Sequence, residues 1–113
     1  MAADDFDVVE YKVLAFLCQS IKDGVRPTYE KAAEVAKVNP VYWDAVIGDL
    51  VDLGYVRANV IRMADSTRCG DIRITSAGVD FLETSPRMRR VGDLLGAAFE
   101  VALKVAIESL KSI

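Results

Sequence analysis

Apolar positions recur at helical spacing from about residue 5 to 19, where Phe6, Val9, Val13, Phe16 and Leu17 fall on one face. Asp4 or Asp5 is placed to cap this helix, and Lys22-Asp23-Gly24 ends it with loop chemistry. A shorter helix is predicted from about Tyr29 to Ala36, capped by Thr28, with Ala32, Ala33 and Ala36 as a thin apolar face. Asn39-Pro40 restarts the chain, since Asn caps well and Pro suits the first helical position. The third helix is expected over about 40–53, with Trp43, Val46, Ile47, Leu50 and Leu53 facing the core and Gly54 turning the chain out of it.

The period then changes. Residues 55–62, YVRANVIR, alternate loosely and are rich in β-formers, and 71–74, DIRI, put Ile72 and Ile74 on one face and Arg73 on the other. With residues 64–70 as a loop, these two segments predict a hairpin. Thr75 caps a short helix carrying Val79, Phe81 and Leu82, and Thr84-Ser85-Pro86 is a further stop and restart. A single long helix is expected from there almost to Ile113. Three helices, a hairpin and a further helix make an α+β, mainly α, winged helix-turn-helix plan. Residues 1–84 would form the winged domain and 85–113 a C-terminal dimerisation helix.

Several residues in this frame resemble the YjcQ-like winged-helix proteins of bacteria and their phages. The segments are EYKVLAFL, DLVDLGYV and ITSAGVDFLETSPRMRRVGDLL. The family pattern of a leucine, a spacer and Gly-Tyr falls on Leu50, Gly54 and Tyr55. Its second motif, Leu-Thr-x-x-Gly-x-x-Tyr-Leu, falls on Ile74, Thr75, Gly78, Phe81 and Leu82. The resemblance implies the winged fold and a phage or prophage association, and it implies no particular biochemical activity.

Composition narrows the chemistry. The 113 residues carry a formal net charge of -3 and no histidine. An acidic balance is unlike a typical nucleic-acid binder, and histidine is both the commonest general base and the commonest metal ligand. No Gly-rich phosphate loop, paired-carboxylate signature or metal-ligand spacing is visible. The chain is therefore read as non-enzymatic, without a metal, a cofactor or a small-molecule ligand. Cys18 lies in an apolar helical pattern and Cys69 in a polar loop, a placement that fits reduced thiols in the cytoplasm. The opening MAADDFD has no basic n-region of the kind a secretory signal carries.

Three surfaces are candidates for function. The outward face of helix 40–53 carries Val41, Ala45, Gly48 and Asp52, flanked by Asp44 and Asp49. Reading base edges requires Arg, Lys, Asn or Gln, and that face has none, so it is expected to meet protein rather than bases. Arg57, Arg62, Arg68 and Arg73 cluster in the hairpin, where they either grip a phosphate backbone or keep exposed strands soluble. Arg87, Arg89 and Arg90 add basic charge at the start of the last helix, where the helix dipole disfavours it and an anionic partner would relieve it.

The last helix confines Asp93, Glu100, Lys104, Glu108 and Lys111 to one narrow stripe, and nearly everything else on it is apolar or small. Leu94, Leu95, Ala98, Phe99, Ala102, Val105, Ala106 and Leu110 form the expected homodimer interface, because so wide an arc exceeds what one small domain needs. Burying about 800 Å² of it would contribute on the order of 20 kcal/mol before entropy costs. Gly92 and Gly96 have the small-xxx-small spacing of close helix crossings. A helix buried wholly within the monomer and attachment of residues 91–113 to a membrane surface are the competing readings.

Overall fold

Helix α1 (Phe6–Lys22) runs through the middle of the molecule. Val9, Val13, Leu14, Phe16 and Leu17 are fully buried in it, because α2, α3, α4, α5 and strand β2 all pack on it. The computed structural model describes residues 5–62 and 67–111, and describes side chains there except between 60 and 70. The remaining elements are α2 (Tyr29–Ala36), α3 (Pro40–Asp52), β1 (Val56–Arg62), β2 (Thr67–Ile74), α4 (Ser76–Thr84) and α5 (Pro86–Lys111). The described chain is thus mainly helical, with a two-stranded antiparallel sheet.

Local chemistry explains most of the boundaries. Thr28, Asn39 and Thr75 each accept a hydrogen bond from a backbone N–H three residues on, at 3.1, 2.8 and 3.1 Å, and so cap α2, α3 and α4. Helix α1 extends to Lys22, beyond the expected Gln19, and ends in a Schellman turn. In that turn Val25 N–H donates to Ser20 C=O at 2.8 Å, around Gly24 at φ 73°. The same turn ends α3: Tyr55 N–H donates to Leu50 C=O at 3.0 Å, around Gly54 at φ 80°. Leu53 consequently lies outside α3 and is half exposed, not part of its core stripe. Phe6 is likewise exposed at the start of α1 and stacks on the Tyr42 ring, 6.0 Å between centroids.

Strand β2 begins at Thr67, so residues 67–70 of the expected loop, Cys69 among them, belong to the sheet. The pairing register shifts between Ala58 and Val60. A bulge of this kind lets a strand continue through a sequence with no alternation to betray it.

The residues of the two family-like motifs meet in space. Thr75 N–H donates to Tyr55 C=O at 2.9 Å, and Thr75 Oγ1 donates to Gly54 C=O at 2.6 Å. A Cβ on Gly78 would overlap the Tyr55 carbonyl oxygen. The Tyr55 and Phe81 rings stack at 4.5 Å and 14°. The Gly-Tyr that begins the hairpin and the Thr-x-x-Gly that follows it are therefore two sides of one clasp, which closes the hairpin onto α4.

Helix α5 is not one straight helix. Gly96 has φ 60° and ψ -152°, which breaks it into an inner segment and an outer segment, 97–111. That backbone region is open essentially to glycine alone. Met88 and Val91 of the inner segment and Ile107 of the outer one are buried, so the bend folds both segments onto the body.

Candidate functional site

In the hairpin the register places Arg57 directly opposite Arg73, between the inward pairs Val56–Ile74 and Ala58–Ile72. Pleating sends Val56, Ile72 and Ile74 into the core and leaves both arginines exposed on the other face. With Asn59 and Asp71 they line a shallow depression of about 370 Å³. Neither guanidinium forms an ion pair among the described residues. Like charges directly across a strand pair destabilise it, so this pair is a local source of positive potential with no ion-pair partner among the described residues. Arg62 and Arg68 occupy the outer half of the hairpin, opposite Thr67 and Ile61, and their side chains lie outside the described residues.

On α3, Val41, Ala45, Gly48 and Asp52 are all exposed, Val41 at 80%. A Cβ at Gly48 would meet nothing, so the face is open. Asp44 is exposed beside it, and Asp49 points back toward α1, where it meets Glu10.

The eight residues expected to form the dimer interface divide into two groups. Leu95, Phe99, Ala106 and Leu110 are half-buried. Ala106 and Leu110 pack against the core, and the Phe99 ring lies 5.8 Å from that of Tyr11. Phe99, Ala106 and Leu110 thus spend part of their apolar surface within the monomer. The bend at Gly96 is the reason, since it turns the outer segment back across α1. Leu94, Ala98, Ala102 and Val105 stay exposed, joined by Val101. Leu94, before the break, and Val101 and Val105, after it, are 63, 62 and 64% exposed, and nothing among the described residues covers them.

The glycine pair also serves the monomer. A Cβ on Gly92 would sit 2.9 Å from Tyr11 Oη, so Gly92 lets α5 approach α1, while Gly96 makes the break. The basic cluster at the start of α5 is partly neutralised from within. Arg87 lies 3.3 Å from Asp7 and 3.9 Å from Glu10, with its guanidinium carbon 5.5 Å from the Phe81 ring centroid. Arg89 Nε donates to Glu83 C=O at 3.2 Å.

Glu10 went unnoticed in the sequence. It shares the α1 stripe of Val13, Leu14 and Leu17, and it is 2% exposed, with no well-formed hydrogen bond to Oε2 among the described residues. Burial raises its pKa to about 7; Arg87 opposes the rise, and Asp49 and Asp7 add to it. Its spacing from Val13 and Leu17 is the signal that would have revealed it.

Burial, and then the positive charge of Lys37, lower the pKa of Lys12. Burial, with the charges of Glu100 and Asp93, raises that of Tyr11. Cys18 is a buried free thiol. Among the described residues no cluster of carboxylates or cysteines is arranged to hold a metal ion, and no helix is long and apolar enough to cross a membrane. Comparison with family models, curated proteins and solved structures gives no match for the chain.

Proposed function

We propose that the chain is a non-enzymatic winged-helix regulator or adaptor, linked to prophage as its resemblance to the YjcQ-like proteins implies, that self-associates through the outer segment of α5. The order of three helices, a hairpin and further helices supports the winged reading, as does the clasp at Thr75. The open acidic face of α3, with Val41, Ala45, Gly48 and Asp52, supports contact with protein there, since carboxylates would meet phosphate repulsion in a DNA groove.

The observation that carries self-association is the exposed apolar face of Ala98, Val101, Ala102 and Val105 on the outer segment, with Leu94 exposed on the inner segment just before the break. Covering three side chains already about one-third buried contributes roughly 1–2 kcal/mol each, or about 6–12 kcal/mol over two copies. Association costs about 4–15 kcal/mol, so the dimer is weak, with a Kd in the micromolar range or above. The interface is far smaller than the whole helix would offer, because half of its apolar arc is spent inside each chain.

Light scattering across a concentration series tests this. Self-association up to about 100 µM is expected for the wild type, and Leu94→Glu or Val105→Glu should abolish it. These positions are chosen because substitution at Leu95 or Phe99 would also damage the monomer. A monomeric wild type throughout the series would overturn the reading.

The unpartnered Arg57–Arg73 pair supports a second reading, a DNA-binding regulator that grips the phosphate backbone through the hairpin. It predicts affinity that falls steeply with salt and weakens on Arg73→Ala. Absence of binding at low salt would end it.

A further inference from the structure

Between α2 and the outer segment of α5 lies a groove of about 430 Å³. Its apolar lining is Val35 from α2 and Phe99, Ala102, Val105 and Ala106 from α5. Lysines from α1 and α2 stand around it, and they are not equivalent. Lys31 is committed within the chain, with Nζ 2.9 Å from Glu34 Oε2 and 3.2 Å from Ser109 Oγ. That contact also neutralises the one carboxylate on the rim. Lys12 and Lys37 form no ion pair among the described residues. They are near enough to interact unfavourably, and Lys12 is partly desolvated.

The backbone at Lys37 adds an independent observation. It ends α2 with φ 55° and ψ 47°, and is the only described non-glycine residue with positive φ. Glycine or asparagine normally takes that position, because a larger side chain is strained there. The Lys37 ammonium group stands with that of Lys12 at the edge of the apolar recess. An anion relieves the repulsion and a hydrocarbon body fills the recess.

We propose that this groove binds a small amphipathic carboxylate, with its head between Lys12 and Lys37 and its apolar body against Val35, Phe99, Ala102 and Val105. The volume lies toward the lower end of the usual range for small-molecule sites, roughly 300–1,000 Å³. The site is complete within one chain, and because Ala102 and Val105 also belong to the surface proposed for self-association, the carboxylate and a second copy compete for them.

Calorimetric titration of the full chain with sodium octanoate tests the proposal, with 1-octanol and octylammonium as probes of the same length but different charge. Saturable binding of one octanoate per chain is expected, with both controls at least about tenfold weaker. Lys12→Gln should weaken octanoate about tenfold, as befits the loss of a charged hydrogen bond. Lys37→Gly removes the backbone strain along with the charge, so it should melt no lower than the wild type while losing a similar factor in binding.

Equal affinity for octanoate and octanol would overturn the proposal, and so would full affinity in the folded Lys37→Gly chain. Uptake only above the micelle threshold or only by vesicles would assign the groove to a lipid surface instead and overturn it too. Scattering on the same samples separates the readings. A Leu94→Glu monomer that takes up no octanoate removes this site alone, and a wild type that binds octanoate but is monomeric without it removes only the dimer.

Discussion

Replacing Glu10 by glutamine keeps the shape of the side chain and removes its charge. In the folded chain the carboxyl is buried, with Asp49, Asp7 and Arg87 as its charged neighbours, and its pKa stands at about 7 against an ordinary 4.5. The folded state therefore holds the Glu10 proton more tightly than the unfolded chain does. Below the ordinary pKa both states are protonated and the group is neutral in its effect. As pH rises from there through the folded pKa, the unfolded state releases its proton first, and folding stability falls.

At about 1.4 kcal/mol per pH unit the full loss is about 3 kcal/mol, a few hundredfold in the folding equilibrium. Glu10→Gln avoids it. Urea unfolding at pH 5, 6, 7 and 8 should show the variant more stable by under about 1 kcal/mol at pH 5 and by about 3 kcal/mol at pH 8. A difference that stays flat with pH, or a variant less stable at pH 8, would refute the account of Glu10 as a buried, poorly compensated charge.

Other changes test the clasp and the hairpin. Gly78→Ala drives a methyl group into the Tyr55 carbonyl and should cost about 2–3 kcal/mol in a thermal melt. Thr75→Ala removes both the α4 cap and the bond to Gly54, with an expected loss of about 1–2 kcal/mol that Thr75→Ser largely restores. Arg73→Glu sets opposite charges across from each other and should stabilise the chain by about 0.5 kcal/mol, while reducing any affinity for DNA in a binding titration.

Caps and turns were the most legible part of this sequence. Thr28, Asn39-Pro40, Gly54 and Thr75 act through bonds to near neighbours, and a local signal suffices to place them. Strand β2 was half missed, because Thr67–Gly70 pairs across a register shift and shows no alternation. The extent of the exposed face of α5 was hidden for a different reason. Periodicity shows that a helix has a broad apolar face but not which part its own chain will cover. Leu95, Phe99, Ala106 and Leu110 are covered because of a left-handed bend at Gly96, and one residue's φ and ψ leave no trace in the pattern. The Lys12–Lys37 pairing is a tertiary coincidence between α1 and the end of α2, so no spacing along the chain announces it.

The bend has a wider consequence. A methyl group at position 96 would make the observed backbone angles inaccessible, and a helix running straight on would carry Phe99, Ala106, Ile107 and Leu110 away from the body. The vacated bed on α1 would then match the same arm from a neighbouring molecule as well as its own. The way the arm folds onto its own body thus depends on a single missing side chain.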